Sequence, residues 1–225
     1  MVPWYGCLPR HNAAVDTTAD IDGTWKPLAI DEIAGRMDPT GADWWIAGGV
    51  AIDLFLGWTS RPHADVDVEM FRTDRDVLGR AFEGWDLFSV SAGELSPWGP
   101  GIDVPHDVFG IWGRPAPGEP WAIEVMLADG DDTTWRFRRD PRIERPRAGL
   151  NHTTPGGIAY CTPEVQLLYK AKQARPKDDV DLARTLHLLD DEQKDWLADA
   201  LAVTQPDHPW VAVLGQTPRV HGGSR

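Results

Sequence analysis

The stretch Asp65-Val66-Asp67-Val68-Glu69-Met70-Phe71 alternates acidic and apolar residues. Period two is the spacing of a β-strand with unlike faces. Val66, Val68 and Met70 then share one face, and Asp65, Asp67 and Glu69 share the other. A chain carrying this run has to build a sheet that buries one side and gathers carboxylates on the other. At ~3.3 Å rise per residue the Cα atoms of Asp65 and Asp67 stand ~6.5–7 Å apart, so their carboxylates can converge on one or two divalent cations. Without a cation they repel, and one pKa rises. Oxygen ligands of this kind suit Mg²⁺, which takes one or two carboxylates and completes its shell with substrate phosphates. On these residues alone, a solvated polar strand face is the competing reading.

The flanks sharpen the choice. Trp44 to Ala47 reads as a short buried strand, Gly48-Gly49 as a turn, and Val50 to Leu56 as a short helix stopped by Gly57. Paired glycines between a strand and a helix let backbone N–H groups approach a phosphate. Arg61 and His63 come just before the acidic pair and can hold phosphate oxygens; equally, they can pair with Asp65 or Glu69.

Glu124 is a candidate to join these acids, as the single acid in the otherwise apolar strand Trp121 to Leu127; equally, it can face solvent or pair with Arg136 or Arg138. A carboxylate among apolar neighbours is costly unless it is paired or metal-bound. Glu69 is a weaker rival, because four strand residues put it ~13 Å from Asp65. Asp129, Asp131 and Asp132 form an acidic turn that reads as a solvated loop or as a contact for a cationic molecule. Among the tryptophans, Trp58 and Trp112 are the candidates for stacking on a ligand.

Before the alternating run, Leu28 to Met37 has helical spacing. After about residue 150 the pattern turns helical, with helices expected near 163–174, 178–190 and 192–203. Thr162-Pro163-Glu164 opens the first: Thr as N-cap, Pro at the first position and an acid in the first turn. Lys170 lies on that helix, Lys177 opens the next, and Arg136 to Arg142 form a basic cluster upstream. The organisation expected is α+β: a loosely ordered segment over 1–25, a mixed domain over 26–150 and a helical domain over 151–225.

Composition closes off other classes. With 22 basic and 35 acidic residues the formal net charge is −13, which argues against nucleic acid as a partner, since phosphates need Lys and Arg. No apolar run approaches the ~18 residues of a membrane span. Two cysteines, Cys7 and Cys161, make neither a disulfide framework nor a zinc site. With no signal-peptide pattern at the N-terminus, a cytoplasmic location is the default expectation. The oligomeric state is left open.

Ile46-Ala47-Gly48-Gly49-Val50-Ala51-Ile52-Asp53, then Leu56-Gly57, then Ser60-Arg61-Pro62-His63-Ala64-Asp65-Val66-Asp67, resembles the signature of aminoglycoside 2''-adenylyltransferases and lincosamide nucleotidyltransferases, within the DNA polymerase β-like superfamily. Val50 stands where that signature usually has an aromatic residue. The resemblance implies a nucleotidyltransferase-type mixed β-sheet flanked by helices, followed by a small helical C-terminal domain. It also implies a reaction: an NMP group, AMP first among the choices, passes from a Mg²⁺-bound NTP such as ATP to a hydroxyl of a small acceptor, with cationic antibiotics among the candidates. By that likeness Asp65, Asp67 and Glu124 are the metal and catalytic carboxylates. Gly48, Gly49, Ser60, Arg61, His63, Lys170 and Lys177 face the nucleotide. Two other readings stay open: nucleotidyl transfer onto a protein or tRNA, as in some toxin–antitoxin systems, and a non-catalytic nucleotide-binding module.

Overall fold

The structure is a computed structural model that describes residues 23–216. Most of the segment expected to be loose, 1–22, and the polar tail from 217 lie outside the described residues. Thr24 and Trp25 are described, and Trp25 bridges to Trp121 in parallel.

Helix α1 (Ile30–Met37) is amphipathic and buries Ile33, Ala34 and Met37. Strand β1 (Trp44–Ile46) is followed at once by α2 (Gly48–Leu56). The paired glycines are thus the first turn of the helix and not a separate turn. Gly57, in the left-handed region at φ 78°, ends it by donating to the Asp53 carbonyl. The acidic strand, β2, is Asp67–Phe71. Asp65 precedes it, so the two aspartates do not share a strand as the alternation suggested. The chain then runs through a 3-10 turn into the short α3 (Leu78–Ala81). There follow β3 (Asp86–Ser91), β4 (Glu94–Pro97), β5 (Gly110–Arg114), β6 (Ile123–Gly130), β7 (Thr134–Arg136), β8 (Glu144–Pro146), β9 (Asn151–Thr153) and β10 (Ala159–Cys161).

The sheet runs β4-β3-β5-β6-β2-β1-β10-β9, with β7 and β8 branching from β6. Its centre mixes directions: β2 is parallel to β6 and antiparallel to β1, and β1 is parallel to β10. On β2, Val68 and Met70 point into the apolar core shared with Ile33, Met37, Leu78 and Phe82. Asp67, Glu69 and Phe71 face the other way. Glu69 is only 3% exposed, so that face is not a solvated one: the C-terminal helices cover it.

Asn151–Thr153 and Ala159–Cys161 are strands of the same sheet, and the helical part begins only at α4 (Pro163–Ala171). It continues with α5 (Pro176–Thr185), α6 (Asp191–Thr204) and α7 (Pro209–Gln216), the last not anticipated from the sequence. Thr162 occupies the N-cap position of α4 without a side-chain cap. Glu164 in its first turn is buried, accepting from Arg145 at 2.6 Å and Gln193 at 2.8 Å. The reciprocal cap of α6, Asp190 with Gln193, uses the side chain of each to hold the other's backbone N–H. Among the described residues no helix is long and apolar enough to cross a membrane.

Candidate active site

Between the sheet face carrying Asp67 and the helices α4 and α5 lies a cleft of about 720 Å³. Gly48, Gly49, Arg61, His63, Asp65, Asp67, Glu69, Lys170 and Lys177 wall it, joined by Met126, Arg138, Gln166, Tyr169 and Asp178.

The carboxylates meet because of strand register. Asp67 and Glu124 are direct partners across the parallel β2–β6 pair, so their side chains leave the sheet on the same face. Asp65, in the approach to β2, adds a third charge. The signs of crowding are electrostatic. Burial pushes Asp67 up to about 7, and the charges of Glu124 and Asp65 push the same way against Lys170 and Lys177. Burial, with Asp65, also raises Glu124. Glu124 stands beside Asp67 without itself walling the cleft, with Trp112 its partner on β5. Room beside it is kept by Gly110, whose Cβ would come 3.3 Å from Glu124 Oε1. Among the described residues no three acids, histidines or cysteines form a complete metal cage. Mg²⁺ needs only one or two carboxylates when phosphates supply the rest.

The glycine pair is required by this geometry. Gly48 sits at φ 67°, and a Cβ there would overlap Asp67 Oδ2. A Cβ on Gly49 would overlap Arg61 Nη2 and come 2.6 Å from the His63 ring. The Gly48 N–H donates to Gln166 Oε1 at 2.8 Å, tying α2 to α4.

Arg61 and His63 reach the cleft, but their protein partners differ from those the sequence suggested. His63 Nε2 lies 2.7 Å from Asp53 Oδ2, and Arg61 grips Asp181 with Nε at 3.3 Å and Nη2 at 3.2 Å. Ser60 does not wall the cleft. It lies beside Asp53, whose carboxyl is held below its usual range by Ser60 and His63 despite burial.

The two lysines behave differently. The Lys170 side chain is 7% exposed and bonded to Asp178 at 3.3 Å and Asp181 at 2.9 Å. Lys170 is thus committed to a buried ion-pair network. Lys177 is exposed at the cleft rim with no ion pair among the described residues.

Glu69 forms part of the cleft wall. It accepts from the Trp45 indole at 2.9 Å and the Tyr169 hydroxyl at 3.5 Å, and burial drives it up to about 7. Arg138 stacks over Phe109 at 4.6 Å and Tyr169 at 5.6 Å. It walls the cleft, whereas Arg136 turns away to Asp131 and Glu144. The acidic turn is occupied structurally: Asp129 holds Arg72 and Asp131 holds Arg136. Trp112 packs edge-on against Trp25 and Trp121, and Trp58 lies outside the cleft beside Arg184.

A mixed sheet with acids on its central strands, a glycine-opened helix beside them and a helical cover is the nucleotidyltransferase-type fold. Residues 29–87 match the family described as aminoglycoside-2''-adenylyltransferase, so the resemblance carried by the signature holds over that stretch. The solution structure of the antibiotic-resistance factor ANT(2'')-Ia shares the fold at 17% identity. It covers 82% of this chain and 92% of its own, with a TM-score of 0.50. The crystal structure of ANT(2'')-Ia with adenylyl-2''-tobramycin agrees at 18% identity, covering 78% and 96%, with a TM-score of 0.52. Curated proteins include no sequence match.

Proposed function

We propose that this chain moves an NMP group, AMP in the first instance, from a nucleoside triphosphate to a hydroxyl of a small molecule. The observation that carries the reading is the in-register pair Asp67 and Glu124 with Asp65 alongside, at a cleft opened by Gly48 and Gly49. The acceptor class suggested by the family match is an aminoglycoside-like antibiotic. The acids of the cleft floor suit a cationic acceptor, and the exposed Lys172, Arg175 and Lys177 on the α4–α5 side suit a triphosphate.

Burial first, and then the neighbouring carboxylates, raise Asp67 and Glu124, a setting that fits a divalent cation, which would relieve the repulsion. Asp65 and Asp67 would hold Mg²⁺, and the ion would supply charge neutralisation along the phosphates. The protein's own groups do the rest. Backbone N–H groups at the start of α2 and the rim cations fix the triphosphate in line. The acceptor oxygen forms a bond to the α-phosphorus as the bond to the leaving pyrophosphate breaks. Glu124, in register with Asp67 but set back from the cleft wall, is the base assigned to the hydroxyl proton, which reaches it through one bridging water.

The test is incubation with Mg·ATP and a panel of aminoglycosides and lincosamides, following pyrophosphate release and acceptor mass. An acceptor gaining one AMP, dependent on Asp67, supports the reading. Hydrolysis without transfer, or turnover unchanged in Asp67→Asn, overturns it.

A further inference from the structure

Asp53 and Asp181 are buried carboxylates that do not wall the cleft, yet each holds a side chain that does. Arg61 connects them. Its Nε and Nη2 donate to Asp181, and its Nη1 donates to His63 Nδ1 at 3.0 Å and to the Pro62 carbonyl at 3.3 Å. A guanidinium has five N–H donors. Four are thereby engaged among the described residues, and the fifth is on Nη2, the atom that a Cβ on Gly49 would overlap. Because arginine can only donate, His63 Nδ1 accepts. Its Nε2 therefore carries the hydrogen that meets Asp53 Oδ2 at 2.7 Å. The network continues into the helices, where Asp181 also takes Lys170 at 2.9 Å.

Resting on the nucleotidyl-transfer reading, we propose that Asp53 is a positioning residue for the nucleotide. From the middle of α2 it holds the His63 imidazole, and through it Arg61, against the glycine turn that receives the triphosphate. An apolar residue would fill the same space without the cost of burying a carboxylate. What an acceptor oxygen supplies there, and an apolar side chain does not, is a fixed ring orientation and tautomer, and with them the aim of the remaining arginine N–H.

The experiment is calorimetric binding of Mg·ATP to wild type, Asp53→Ala, Asp53→Asn, His63→Ala and the His63→Ala/Asp53→Ala double variant. Asp53→Ala should weaken binding about tenfold, the worth of one charge-assisted hydrogen bond. Asp53→Asn keeps an oxygen that accepts from Nε2–H and should bind within about threefold of wild type. In the His63→Ala background Asp53→Ala should cost no further affinity, while raising the melting temperature by removing a stranded carboxylate. Unchanged affinity in Asp53→Ala overturns the proposal, as does the same affinity loss with and without His63. If Asp53→Ala does not fold, Asp53→Ser, too short to reach the ring, replaces it with the same expectations. Wild type that binds no nucleoside triphosphate overturns the nucleotidyl-transfer reading. Wild type that binds, with Asp53→Ala binding equally well, overturns only the positioning role.

Discussion

Gly48→Ala and Gly57→Ala form a matched pair at the two ends of α2. Both glycines lie in the left-handed region, at φ 67° and 78°. An alanine at either pays the same backbone strain, about 1–2 kcal/mol. For a chain of this size each kcal/mol moves the melting temperature by roughly 2–4 °C, so strain alone lowers it by roughly 2–8 °C in both variants. The surroundings differ. A Cβ at Gly57 meets nothing within 4 Å, whereas one at Gly48 would occupy the position of Asp67 Oδ2. Gly57→Ala should therefore keep Mg·ATP binding and transfer within about twofold of wild type, as a surface change away from a site does. Gly48→Ala should displace the Asp67 carboxylate and cost at least about a hundredfold in transfer, the scale of losing one well-placed catalytic group. Differential scanning fluorimetry gives the stability half and pyrophosphate release the activity half. Gly48→Ala with activity equal to Gly57→Ala would show that the glycine is not there to seat Asp67.

Other consequences follow from charge and burial. Lys177→Ala should leave the melting temperature unchanged and weaken Mg·ATP by about tenfold, since an exposed cation contributes through the ligand and not the fold. Lys170→Ala leaves Asp178 held by Arg175 and Asp181 by Arg61, so it should destabilise by about 1.5–3 kcal/mol in chemical unfolding, the cost of losing one buried charged partner and not of stranding a charge. With chelator present, stability should fall as pH rises from about 4 to about 7: Asp67 and Glu69 keep protons in the folded state that the unfolded chain has already released. Asp67→Asn and Glu69→Gln should each flatten that slope and raise the melting temperature at pH 8, read by unfolding at several pH values. Glu124→Gln should cut turnover far more than it weakens nucleotide binding, checked by comparing kcat with the Kd for Mg·ATP.

Much of the site was legible because its residues lie close together along the chain. Gly48, Gly49, Arg61, His63, Asp65 and Asp67 are brought together by one strand, one helix and one loop. Glu124 was found by a different signal, a single acid in an apolar strand, and the β2–β6 register sets it beside Asp67. The residues that escaped are those whose roles depend on distant pairing. Nothing local tells that Arg138 stacks between Phe109 and Tyr169, or that Gln166 receives the Gly48 N–H. Lys170 and Lys177 looked alike in the sequence, and only the packing of α5 on α4 buries one and leaves the other free. Strands β9 and β10 were missed because three-residue strands carry no periodicity. They are held by pairing with each other and with β1. The start of the acidic strand was misjudged because alternation continues through Val66 although pairing begins at Asp67.

The most direct test of the central claim is calorimetric titration of wild type and Asp67→Asn with ATP, with Mg²⁺ and with EDTA. Binding to wild type should require Mg²⁺ and be lost in Asp67→Asn, a variant whose fold is retained. Equal binding with EDTA, equal binding by the variant, or no nucleotide binding by wild type would contradict that claim.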